Sequence, residues 1–133
     1  MKRMLALLVV GVLALCLFSG CASIATAKRF NEQALTVEQS TPVVHLNARV
    51  SGLYLLPTIP LITGDTESGK LFAIMKNTAT LDECVNYLTK RAKAEGCTKT
   101  TDMVSSRRSQ WLGPGGFFVL WWKSASVSAN GLK

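Results

Sequence analysis

With 133 residues the chain has room for one domain, and 48% hydrophobic against 17% charged residues excludes an intrinsically disordered protein. The formal charge of +7 raises nucleic acid or an anionic surface as partners. Its basic residues, however, are scattered in short clusters (Lys28-Arg29, Lys90-Arg91-Lys93, Arg107-Arg108) with no stripe interleaved with aromatics, which argues against a nucleic-acid partner.

The N-terminus carries the sharpest signal. Met1-Lys2-Arg3 is positive, and residues 4–18 form an apolar run with one glycine and no charge. This is the layout of a secretory signal, and the run is short of the roughly 20 residues a membrane span needs. Phe18-Ser19-Gly20-Cys21 closes it. That sequence resembles the lipobox of bacterial lipoproteins, with small residues at Ser19 and Gly20 and with Phe18 where Leu, Val or Ile is usual. The resemblance implies cleavage between Gly20 and Cys21 and diacylglycerol on the Cys21 thiol. It also implies membrane attachment through that N-terminal lipid and, because Ala22 rather than Asp follows, the outer membrane of a Gram-negative cell; otherwise the cell membrane. Each buried CH₂ of such an anchor contributes about 0.8 kcal/mol. The alternatives are ordinary secretion, with cleavage after Ala25-Thr26-Ala27, and an uncleaved anchor helix. The expected division is a signal peptide over 1–20, a lipidated tether over 21–41 and a domain over 42–133.

The tether is expected to be small and polar, with Phe30, Ala34 and Val37 at spacings that suit a short helix. After Thr41-Pro42, Val44, Leu46, Ala48 and Val50 alternate with polar residues, the period of a strand with one buried face. Apolar parity then switches to Leu53 and Leu55 across Gly52, which suggests a bulge, and Pro57 and Pro60 are expected to break the ladder. Leu71 to Met75 reads as a second strand. Thr80 and Glu83 form a capping-box pattern, followed by an apolar stripe of Leu81, Cys84, Val85, Leu88 and Ala92. Lys90, Arg91 and Lys93 come near the end, and Gly96 is the stop. A helix over 81–95 is predicted.

Residues 97–108 read as a strand, Gly113-Pro114-Gly115-Gly116 as a turn, and residues 117–129 as a strand, apolar on both faces at its start and therefore central. The expected fold is α+β: a small antiparallel or mixed sheet of about four strands, ordered β-β-α-β-β along the chain, with one helix packed on one face.

Chemistry is sparse. His45 is the only histidine, and no CxxC or HxxxH spacing occurs, so no metal or cofactor is expected. There is no Gly-x-Ser-x-Gly elbow. Cys84 and Cys97 are expected as buried thiols, because a helix of about ten residues would hold them roughly 15 Å apart. An enzyme is not expected; a hydrolase using Cys84 or Cys97 would need His45 within hydrogen-bond reach. Trp111, Phe117, Phe118, Trp121 and Trp122 form an aromatic cluster, read either as core or as an exposed partner surface for an envelope protein or for self-association. The Gly-Leu-Tyr-Leu and Pro-Leu-Ile-Thr-Gly stretches (residues 52–55 and 60–64) loosely resemble small outer-membrane lipoproteins. The expectation is therefore a non-enzymatic envelope lipoprotein acting through binding or structural contacts. The alternatives are an accessory or sensor subunit docking through its Trp-rich strand, and a small hydrolase using a Cys or carboxylate.

Overall fold

The alternating stretch after Pro42 becomes the spine of the fold. The computed structural model describes residues 11, 21–28, 42–67, 72–113 and 119–133. In chain order these hold β1 (Ala22–Ala27), β2 (Pro42–Leu55), β3 (Ile59–Gly64), β4 (Phe72–Ile74), the helix α1 (Leu81–Ala94), β5 (Lys99–Trp111) and β6 (Leu120–Leu132). They form a 6-stranded sheet in the order β4-β3-β2-β6-β5, with β1 also paired to β2. Every pairing is antiparallel. Strand β6 runs along the whole of β2, so β1 and β3 share the opposite edge, β1 beside residues 45–50 and β3 beside residues 52–55.

The α+β class and the helix on one face agree with the sequence reading, but the sheet has six strands rather than about four. Two strands are additions. Residues 22–27, expected within the tether, pair with β2 as β1. Their small residues show little polar–apolar contrast, and the open edge of β2 supplies hydrogen-bond partners whatever the side chains. Residues 59–64, where Pro57 and Pro60 are expected to break the ladder, form β3 despite Pro60. Leu53 pairs with Ile62 and Tyr54 with Pro60, so Leu61 is the extra residue of a bulge, a place where a strand tolerates proline. The irregularity expected at Gly52 in β2 thus lies opposite, in β3. Parity in β2 does not switch either. Tyr54 continues the buried face of Val50, and Leu53 is buried on the other side. Residues 1–10, 12–20 and 29–41, and the Pro114-Gly115-Gly116 turn with Phe117 and Phe118, lie outside the described residues.

Helix α1 follows its sequence signals. Thr80 Oγ1 accepts from the Glu83 amide at 3.3 Å, satisfying one of the free donors of the first turn. The Glu83 carboxylate does not close a reciprocal box; it accepts from Thr66 Oγ1 at 3.0 Å. Asp82 and Glu83 sit in the first turn, and Arg91 and Lys93 in the last, complementing the helix dipole. Gly96 takes φ +79° just past the end, the left-handed stop that glycine adopts without a Cβ clash. Cys84, Leu88 and Ala92 face inward against Val44, Leu46, Ala48 and Val50 of β2 and Ala125, Val127 and Ala129 of β6. Eight of these ten are 0% exposed, so the core is a single helix–sheet layer.

The end of α1 is tied to β1. Glu95 receives Lys28 Nζ at 2.6 Å and an Arg91 guanidinium nitrogen at 2.8 Å. Lys28 first, and Arg91 with it, hold the Glu95 carboxyl below its usual range against the opposing effect of burial. A carboxylate whose pKa is depressed on folding stabilises the fold above its unfolded pKa, near 4.3, and loses that contribution as pH falls through the folded value. Urea midpoints measured against pH are therefore expected to drop on acidification below about pH 4.3. Glu95→Gln should lower the midpoint at neutral pH and flatten this part of the profile; an unchanged acid limb would show that Glu95 does not contribute.

Candidate functional site on the open face of the sheet

Period-two alternation sends every second side chain away from α1. The registers place these side chains in rows across the strands. Arg49 of β2 lies opposite Ser126 of β6, itself opposite Ser106 of β5. The next row runs from Ser51 through Ser124 to Arg108. Asn47, Arg49, Ser106, Arg108, Ser124 and Ser126 together line an open depression of about 360 Å³. Neither guanidinium has a carboxylate partner among the described residues. The small serines keep the floor low while the arginines stand at its rim, so the hollow is electropositive and rich in donors. Such a surface suits an anionic oxygen ligand.

One end of this face carries a polar chain. His45 Nδ1 lies 2.7 Å from Asn130 Oδ1, and Asn130 Nδ2 donates to Asp102 Oδ2 at 3.0 Å. Asp102 takes φ +53° at the irregularity in the β5–β6 pairing. His45 is therefore occupied within the sheet, and it stands on the opposite face from Cys84. The Cys84 thiol instead donates to the Ala125 carbonyl at 3.2 Å inside the helix–sheet core. Burial pushes the Cys84 thiol above its usual range, which keeps it protonated and unreactive at neutral pH. Cys97 is also a buried thiol, and neither is bridged. Cys84 and His45 therefore do not form a hydrogen-bonded Cys–His pair.

Cys21 sits at the edge of the same open face. Its carbonyl accepts from the Ser51 amide at 2.9 Å, and its amide lies 3.3 Å from Ser51 Oγ. A Cβ built on Gly64 would fall 2.3 Å from the Cys21 carbonyl carbon and the Ala22 nitrogen. Gly64 continues the register of Thr63, whose side chain is in the core, so its missing side chain would project toward the open face. The Cys21–Ala22 peptide occupies that vacant position. Residue 21 is itself exposed. On β4, next to Gly64, Phe72 and Ile74 alternate with buried Ala73 and are 49% and 67% exposed. Apolar side chains thus flank Cys21 on one side, and the arginine-rimmed hollow lies on the other.

The aromatic cluster is divided by the same alternation. Trp121 pairs with Trp111 and Tyr54 on the helix-side face, and half-buried Trp121 packs against the core. Trp122 falls on the open face between Leu53 and Gln110. Lys123 Nζ stands 4.9 Å above the Tyr54 ring, a cation–π contact. Phe117 and Phe118 are outside the described residues, as is Gly20. Trp111 is 44% exposed, with Leu56, Leu112 and Val119 exposed at the same end of the sheet. The Leu56 amide bonds to the Val119 carbonyl, and the Leu112 amide to that of Leu120.

Among the described residues no group of three or more His, Cys, Asp and Glu could hold a metal ion, and no helix is long and apolar enough to cross a membrane. Neither family models nor curated proteins nor solved structures give a match to this chain. Sequence reading missed Arg49 and Arg108 as a pair because only two successive strand pairings bring them together. Their polar parity in β2 and β5 was the one signal available.

The seat of Cys21 on Gly64 gives a direct test. Gly64→Ala places a methyl group where the Cys21–Ala22 peptide lies. Backbone overlap of this kind is expected to cost about 1–3 kcal/mol and to release β1. Denaturant unfolding would read the loss. Hydrogen exchange should accelerate at residues 22–27 before the rest of the sheet, whereas unchanged protection there would refute this packing.

Proposed function

We propose that this chain is a bacterial envelope lipoprotein, made with a signal peptide over residues 1–20. Cleavage falls between Gly20 and Cys21, and diacylglycerol on Cys21 anchors it in the outer membrane if the cell is Gram-negative and otherwise in the cell membrane. Its small domain acts without catalysis, through binding or structural contacts. The observation that carries the reading is the Phe18-Ser19-Gly20-Cys21 sequence behind an uncharged apolar run. Two features support it. Cys21 is exposed, with the sheet beginning at the next residue. Cleavage after Ala27 instead would remove the whole of β1 and bare the edge of β2. Ala22 supports the outer-membrane address.

Metabolic labelling with a clickable palmitate tests the anchor. The protein should take up label, and Cys21→Ser should lose it and accumulate uncleaved precursor. Label retained by Cys21→Ser would overturn the assignment.

A second reading adds to the first: an accessory or sensor subunit docking an envelope protein through its Trp-rich end. Exposed Trp111, Leu56, Leu112 and Val119 favour it, since clustered apolar side chains mark partner surfaces. Cross-linking in intact cells should give an adduct with an envelope protein that Trp111→Ala with Leu112→Ser diminishes at least severalfold. An adduct unaffected by that double change would sink this reading.

A further inference from the structure

Three independent features meet on the open face. Cys21 emerges there, where Gly64 leaves room for its peptide. Arg49 and Arg108 rim a hollow floored by serines, with no carboxylate partner among the described residues. Phe72 and Ile74 project beside the anchor position from β4 and are both exposed. The described residues place no second layer over this side of the sheet; α1 packs on the other.

We infer that the open face lies against the bilayer holding the anchor, with Arg49 and Arg108 taking the phosphate of an anionic phospholipid headgroup and Phe72 and Ile74 entering the interface. The inference rests on the lipid anchor proposed for Cys21. Distance supports it. Arg49 is two residues along β2 from Ser51, which holds the Cys21 backbone, so it stands roughly 7 Å away at strand rise. Arg108 lies two strands across from Ser51, roughly 10 Å at normal strand spacing. A thioether lipid on Cys21 enters the bilayer with a linker of only a few bonds. Surface within about 10 Å of it is therefore held at headgroup depth. Arginine forks bind phosphate in a bidentate manner, and the Asn47, Ser106, Ser124 and Ser126 side chains add neutral donors around them. The surface potential of anionic lipids favours each nearby arginine by a factor of about five. Among the described strand residues Asp102 is the one carboxylate, and it stands at the far end of this face, bonded to Asn130.

The test uses the lipidated protein in nanodiscs of phosphatidylcholine, alone or mixed with phosphatidylglycerol. A nitroxide is placed at Val104→Cys on the open face, or at Lys90→Cys on the exposed side of α1. Cys84 and Cys97 are buried and Cys21 is consumed as thioether, so neither background thiol competes for the label. With phosphatidylglycerol, accessibility of the Val104 position to a water-soluble nickel chelate should fall severalfold while the Lys90 position stays open. Arg49→Gln with Arg108→Gln, both at exposed positions, should undo that protection by about fivefold per arginine. Phe72→Ser with Ile74→Ser should weaken it in both lipids. Equal accessibility at the two positions would overturn the inference. So would protection that is the same without phosphatidylglycerol, or that inorganic phosphate abolishes while chloride at matched ionic strength does not, the mark of a soluble phosphate ligand. A protein that carries no acyl mass and fails to enter the discs would instead overturn the anchor itself.

Discussion

The fold depends on one strand being satisfied on all sides. Strand β2 contributes Val44, Leu46, Ala48 and Val50 to the core, all 0% exposed. Its one edge is taken by β6 over its full length, and its other edge by β1 and then β3. A buried backbone group left without a partner costs about as much as a lost hydrogen bond, so each neighbour is required by the strand beside it. Helix α1 closes the apolar face, and its own inward residues Cys84, Leu88 and Ala92 have no other surface to meet. The remaining elements attach to this unit: β4 to β3, and β5 to β6.

A core with one helix on one side leaves the sheet asymmetric. Most of the buried apolar side chains are gathered toward α1. The outward face is given to short polar side chains and arginine, except at the β4 edge, around Trp122 and at Val104. That division separates Cys84 from His45. Cys84 and Cys97 lie buried on the dry side, and His45 lies on the wet side, held by Asn130. The outward face carries charge, hydrogen-bond donors and a few protruding apolar groups.

Sequence periodicity made some of this legible and could not reach the rest. The helix was legible because its signals are local: Thr80 and Glu83 at the start, an apolar stripe, and Gly96 at the stop. The first half of β2 was legible because Val44 to Val50 alternate without exception. By contrast, β1 is written in Ala, Ser and Thr, and its structure comes from the edge it meets. In β3, Pro60 reads as a break because the bulge that accommodates it belongs to the pairing and not to the segment. The hollow on the outward face was invisible for the same reason, since Arg49 and Arg108 are neighbours only through β6. The division of the tryptophans was nearer to hand. Trp121 and Trp122 are consecutive, and in a strand consecutive side chains never share a face.

The order of the strands along the chain has a consequence in time. Strand β6, the common neighbour of β2 and β5, comes after both of them. Val44 pairs with Gly131, and Val50 with Ala125, so the central ladder closes loops spanning most of the domain. Contacts of such separation are slow to form. A chain synthesised from its N-terminus cannot close its central ladder until its last strand has emerged. Until then the apolar face of β2 has neither its principal neighbour nor a finished layer above it. The architecture therefore delays completion of the fold until the last strand is available, however early the first strands are made.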